Sequence, residues 1–299
     1  MIETNIEHLR DPFVLVDDKA YYVYGTGVFN NDWENTCWAC YKNDSGKLNG
    51  EWIMTNELVY VRPQNAEKKL WAPEVHKYNG FYYMFATYHS SVTNHKGCTI
   101  LKSVSPEGPF VEITNGHITP EDWNAIDGTF YVDAKGQPWL IFVKEWTCTD
   151  DGIGRMSAAK LSDDLTSFVS DPIDIFRADD PVWTNYKVTD GPFIYETKNK
   201  QLLMIWSNLD NKGNYCVGVA RSKSGMIDSK WIQDEKLLFS KSMGAKHDGG
   251  HGMIFMDKNG QLYLSVHSPN VPTEGYGEKT VFIPLQEKND TLIYALGQS

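Results

Sequence analysis

A five-fold repeat limits what this chain can fold into more than any other feature. Five segments share one layout: "RDPFVLVDDKAYYVYGTG", "APEVHKYNGFYYMFATYH", "IDGTFYVDAKGQPWLIFVKEW", "TDGPFIYETKNKQLLMIWSN" and "GHGMIFMDKNGQLYLSVHSPN". Each opens near an ionisable residue, namely Asp11, Glu74, Asp127, Asp190 and His251, at steps of 63, 53, 63 and 61 residues. A short apolar strand follows, then a turn of Gly, Asn, Asp and Lys, then an aromatic-rich strand that returns. This is hairpin grammar. Four copies continue into a third strand, such as "CTILKSVSPEGPF" or "CVGVARSKSGMIDSKW". The fifth has only "TVFIPL", which predicts a terminal unit that is shortened or closed differently. Units of this size with three or four antiparallel strands are propeller blades. No long stretch has the 3.6-residue period of a helical solenoid, and a two-sheet sandwich would not explain the repeat. The expected architecture is all-β, a five-bladed β-propeller forming a single domain over residues 1–299.

Composition narrows the partners. The 24 Gly and 13 Pro suit many short strands, and the formal charge of −11 argues against nucleic acid, which needs a basic face. No run of 18 apolar residues predicts a membrane span. The segment "MIETNIEHLRDPF" lacks a basic and then apolar leader, so a cytoplasmic location is the expectation for the sequence as it stands, and secretion if a leader has been removed. Five scattered cysteines make a poor disulfide framework, and the Cys37–Cys40 pair of "CWAC" reads as strand residues packed in a core.

Equivalent positions of successive blades lie at equal distances from the propeller axis. If the first strand of each unit is innermost, Asp11, Glu74, Asp127, Asp190 and His251 form a ring at one mouth of the channel. The returning strands bring His89, Glu145, Asn208 and His267 to the same mouth. Any one Asp before a strand reads as a turn cap. Four carboxylates facing each other are different, because their repulsion must be offset by protonation, a cation or a charged ligand.

The motifs "RDPF", "WAPE", "IDGTF", "DGPF" and "GGHGM", in this order over residues 9 to about 285, resemble the family 43 glycoside hydrolases. The resemblance implies an inverting glycosidase acting on arabinose- or xylose-containing oligosaccharides from plant polysaccharides, of the α-L-arabinofuranosidase or β-xylosidase type. It also implies Asp11 as general base, Asp127 as the residue that holds the acid and tunes its pKa, and Asp190 at the general-acid position. His251 resembles a histidine associated with a calcium ion in the channel; no organic cofactor is implied. An inverting enzyme needs one protonated and one ionised carboxyl roughly 6.5–9.5 Å apart. Glu74, Trp71, His89, Trp146, Phe193 and His267 are the candidates for contacting sugar. Trp123 and Trp183 lie near the motifs, and Arg155 and Arg221 are further possible hydroxyl partners.

The family has Glu where this chain has Asp190, one methylene shorter. Three readings follow: Asp190 donates the proton from an adjusted cavity, Glu145 of "KEW" is the acid, or the chain binds sugar without cleaving it.

Overall fold

The computed structural model describes residues 1–29, 32–55, 59–272 and 277–294; Asn30 and Asn31, within the stretch 27–36 that the sequence places as a loop walling the channel mouth, and residues 295–299 of the expected domain lie outside them. Five antiparallel sheets form a five-bladed β-propeller. Blade 1 runs Leu9–Val16, Tyr21–Gly27, Cys37–Asn43, Ile53–Met54, and blade 2 runs Ala66–Tyr78, Phe81–Ser90, Lys96–Ser103, Val111–Glu112. Blade 3 runs Ala125–Val132, Pro138–Lys144, Arg155–Lys160, Ile173–Arg177, and blade 4 runs Asp190–Glu196, Leu202–Leu209, Tyr215–Ser222, Trp231–Gln233. Blade 5 has Ile254–Met256, Leu262–Ser268 and Lys279–Lys288.

The odd ending of the fifth repeat has a concrete cause. Its missing strand comes from the other end of the chain: Ile2–Glu7 pairs with the first half of Lys279–Lys288, and Thr291–Tyr294 pairs with its second half. The Thr4 hydroxyl donates to Thr280 O at 2.8 Å inside this seam.

Second strands such as Tyr21–Gly27 and Leu202–Leu209 are buried on both faces, because each blade packs between two others. That is why they read as continuous apolar runs instead of alternating ones. The hairpin turns repeat in chemistry as well. Asp133 and Asp257 each accept two backbone N–H groups across their turns. Gln137, Gln201 and Gln261 each bridge two carbonyls of adjacent strands with one amide. All five cysteines are free, and Cys40 is buried in the core of blade 1, with burial pushing its thiol up to about 12.

Candidate active site

Each innermost strand breaks its ladder at the same place. Residue 10 pairs with 26, 71 with 87, 126 with 143, and 190 with 207; pairing then resumes three residues on against a partner only two residues back. Blade 5 follows suit, with Gly250 bridging His267 and Met253 facing Ser265. Two residues thus oppose one, a β-bulge, and the first of the two is left-handed in every blade: Asp11 (φ 56°), Ala72 (42°), Asp127 (57°), Gly191 (47°) and His251 (44°). The second is always Pro or Gly, namely Pro12, Pro73, Gly128, Pro192 and Gly252. An unpaired bulge residue needs no ladder N–H, so Pro is tolerated there.

This register corrects the expected ring. Ala72, not Glu74, occupies the blade 2 slot, and the Glu74 carboxylate turns to His76 Nε2 at 2.9 Å. In blade 4 the slot belongs to Gly191, so Asp190 enters from the position before the bulge, level with Arg10, Trp71 and Ile126. A Cβ on Gly191 would stand 2.4 Å from His251 Cδ2, so the close approach of that ring requires glycine.

The bulges are clamped from blade to blade. The N–H of Ala72 donates to Thr26 Oγ1 (2.7 Å), that of Asp127 to Thr87 Oγ1 (3.0 Å), that of His251 to Ser207 Oγ (2.8 Å), and that of Asp11 to His267 Nδ1 (3.2 Å). Each acceptor lies opposite the pre-bulge residue of the preceding blade. Blade 3 has Val143 there and offers no acceptor; Gly191 N–H donates instead to Asp127 Oδ2 at 3.1 Å. His267 is fully buried in this role, and burial with the nearby Arg10 and His251 charges drives its pKa well below the usual histidine range. The neutral ring accepts at Nδ1 and carries its proton on Nε2, 3.4 Å from Asn270 Oδ1.

Around the axis the clamps enclose a cavity of about 220 Å³ lined by Arg10, Asp11, Trp33, Trp71, Ile126, Asp127, Glu145, Trp146, Asp190, Tyr215 and His251. A larger hollow of about 410 Å³ lies at the outer edge of blade 1, walled by Lys42, Glu51 and Glu107 among others, and gathers no comparable set of groups. Of the expected site residues, Asp11, Asp127, Asp190, Glu145, Trp71, Trp146 and His251 line the axial cavity. The others do not. His89 pairs with Glu67 at 3.1 Å, Phe193 packs on Phe13, and His267 lies behind Asp11. Trp123 packs at a tilt against Phe142, Trp183 packs on Trp206, and the Asn208 amide donates to the Ala178 and Tyr186 carbonyls. Arg155 and Arg221 pair with Asp151 and Asp234.

Four lining residues escaped the sequence reading: Arg10, Trp33, Ile126 and Tyr215. Arg10 and Ile126 were findable, because the recurring Pro or Gly sets the true register and places both beside Asp190. Trp33 sits in a mouth loop held by Glu34, which pairs with Lys68 and Lys69 at 2.8 and 3.0 Å. One face of its ring lies 4.7 Å from the Arg10 guanidinium, which itself bonds Asn270 and Glu278. Trp33 and Tyr215 carry no local signal that distinguishes them from core aromatics.

Electrostatics divide the carboxyls. Asp11 Oδ2 accepts from the Thr26 hydroxyl at 2.6 Å, and Oδ1 lies 3.2 Å from His251 Nδ1. Burial, against the pull of His251, pushes Asp127 up to about 7, with Asp190 and Asp11 adding to the rise. Burial also pushes Asp190 up to about 6, opposed by His251 and the Tyr215 hydroxyl and reinforced by Asp11. The leading cause is therefore desolvation, and the like charge acting on Asp190 is that of Asp11 where the sequence pointed to Asp127. For His251, burial favours the neutral ring, but Asp11, Asp127 and Asp190 outweigh it and raise its pKa. Both Glu145 oxygens are engaged, by the Lys96 ammonium and the Thr147 hydroxyl. Among the described residues no three His, Cys, Asp or Glu side chains are grouped to hold a metal, and His251 Nδ1 lies 3.2 Å from Asp11 Oδ1 and 3.8 Å from Asp127 Oδ2.

Buried carboxyl groups in contrasting environments between tryptophan walls, at the axis of a propeller, define a site of the glycosidase class. The sequence profile described as "Glycosyl hydrolases family 43" matches residues 6–292, and the chain belongs to that family of glycosidases. The crystal structure of an endo-arabinase from Bacteroides thetaiotaomicron VPI-5482 is 34% identical with a TM-score of 0.81, covering 97% of this chain and 98% of that one. A thermostable family-43 glycoside hydrolase gives a TM-score of 0.84 at 21% identity, covering 98% and 96%, a likeness of fold. The extracellular exo-α-(1→5)-L-arabinofuranosidase ArbA of Cellvibrio japonicus (strain Ueda107) is 30% identical over 173 residues, which is 53% of this chain and 45% of that protein. The chain spans about half the length of the curated relatives it matches. Relatives described as extracellular also include arabinanases of Bacillus subtilis (strain 168) and Thermotoga petrophila. These names overturn the cytoplasmic location expected from the N-terminal residues.

Proposed function

We propose that the protein hydrolyses arabinose- or xylose-containing glycosides with inversion, and that α-(1→5)-linked arabino-oligosaccharides are the first substrates to try. The observation that carries this reading is the convergence of Asp11, Asp190 and His251 on one tryptophan-walled cavity. Its volume is below the roughly 300–1,000 Å³ typical of drug-sized ligands, a scale that suits a sugar ring. The arabinan-directed names of the relatives choose the sugar.

In this mechanism Asp11 takes a proton from the attacking water. Its carboxylate is held for that task by the Thr26 hydroxyl and by His251. Asp190 gives its proton to the leaving oxygen, since burial keeps it protonated in mild acid. Asp127 acts through the backbone: it accepts the N–H of Gly191, the residue next to the acid. Glu145 is a poorer donor than Asp190, because an ammonium and a hydroxyl already occupy its two oxygens.

The test is proton NMR of arabinobiose hydrolysis, which reports the anomer released first. The β-anomer from an α-linked substrate, together with loss of at least about 1,000-fold in Asp11→Asn, is the expected result. Release of the α-anomer, or an unimpaired Asp11→Asn protein, refutes the scheme. Sugar binding without turnover of either arabinosides or xylosides would establish the binding-only alternative.

A further inference from the structure

A short acid needs a fixed aim, and the structure supplies one. The Tyr215 hydroxyl donates to Asp190 Oδ2 at 3.0 Å. Tyr215 is itself restrained along its whole length. Its backbone N–H donates to Asp248 Oδ2 at 3.0 Å, and its carbonyl accepts from Gly249 N–H at 3.3 Å. Its ring stacks on His267, with centroids 5.5 Å apart and planes 25° from parallel. Gly250 also packs close against the ring, where an added Cβ would stand 2.7 Å from Tyr215 Cε1. Thus the "DGGHG" stretch, residues 248–252, builds a seat for a tyrosine as well as placing His251. Among the described residues no hydrogen bond engages Asp190 Oδ1.

Resting on the hydrolytic reading above, we infer that Tyr215 is the positioning residue for the proton donor: it anchors Oδ2 of Asp190 and leaves Oδ1 to carry the transferable proton. As the bond from the anomeric carbon to oxygen breaks, its electron pair stays on the leaving oxygen, which takes the proton from Oδ1. Water adds its hydroxyl to the anomeric carbon and passes its other proton to Asp11. The new carboxylate on Asp190 then accepts from Tyr215 more strongly than the neutral acid did, so the contact stabilises the transition state more than the ground state. Burial beside Asp190 and Asp11 drives the phenol pKa well above its usual value, which keeps Tyr215 a donor throughout.

Tyr215→Phe, Asp190→Asn and the double variant are compared on 2,4-dinitrophenyl and phenyl α-L-arabinofuranosides, with the matching β-D-xylopyranosides if arabinosides are not turned over. Tyr215→Phe is expected to lose roughly 10- to 100-fold in kcat on the phenyl glycoside, less than about 3-fold on the dinitrophenyl glycoside, and little in KM. Its effect disappears once Asp190 is Asn, because the two act as one unit. Equal losses on both substrates, or additive losses in the double variant, overturn the inference and reduce Tyr215 to a packing residue. Should Asp190→Asn itself show no preference between leaving groups, the acid assignment falls and takes this inference with it. If Tyr215→Phe does not fold, Tyr215→Met, which fills the same space without a hydroxyl, is expected to give the same leaving-group dependence; an equal loss on both substrates there has the same adverse meaning.

Discussion

At Asp127 the physics of burial competes with the chemistry of a hydrogen bond. Asp127 as a residue is 7% exposed and its carboxyl accepts the Gly191 N–H, yet desolvation raises its pKa from 3.8 to about 7. Between those values the folded protein keeps a proton that the unfolded chain has released, so this group lowers stability as pH rises through that window. Asn at this position keeps an acceptor oxygen and cannot ionise. Thermal melts of Asp127→Asn and the parent should therefore diverge from about pH 4 to pH 7, with the variant gaining about 2–6 °C on the parent. Parallel melting curves across that range would contradict burial as the dominant cause. Activity makes the same demand on a second carboxyl: Asp190 must hold its proton, so kcat should fall about tenfold per pH unit above about 6, and a flat profile to pH 8 would remove Asp190 as the acid.

Five bulges at one level turn five separate strands into one site. A left-handed backbone at a non-glycine residue costs about 1–3 kcal/mol, and here four blades adopt it with Asp, Ala, Asp and His. The clamps from blade to blade hold that conformation. Thr87→Val leaves the buried Asp127 N–H without its acceptor and should destabilise by about 1–3 kcal/mol in denaturant titrations. Val143→Thr, at the equivalent position in blade 3, should cost far less, because Gly191 N–H already has Asp127. Equal losses from both would show that the clamp is incidental. This level of organisation was only half legible in the sequence. Aligning the repeats on charge found Asp11, Asp127 and His251 but misplaced Glu74 by two residues and Asp190 by one. Aligning them on the recurring Pro or Gly of the second bulge position recovers the observed register. Charge is a property of the site, whereas Pro and Gly report the backbone that builds it.

For the molecule as a whole, the blade count was readable because each unit must bury both faces of its inner strands, and that demand writes the same apolar hairpin five times. The shapes of the mouth loops were not readable, since loops answer to no period. Nor was the seam between Ile2–Glu7 and Lys279–Lys288, whose two strands resemble no other pair in the repeat. Closure of a propeller removes an exposed edge that would otherwise pair with another chain. Deleting residues 1–7 should therefore lower the melting midpoint by at least about 5 °C and bring concentration-dependent association; a monomer with unchanged melting would show the seam to be dispensable.

The same seam sets an order of events in time. Thr4 and Thr280, bonded across it, stand 276 residues apart. During synthesis the first strand has no partner until Lys279–Lys288 has left the ribosome, while each blade can pair its own strands within about sixty residues. Ring closure is then the latest and least local step of folding, and the axial cavity, which draws side chains from the first blade and the last, becomes competent only when that step is complete.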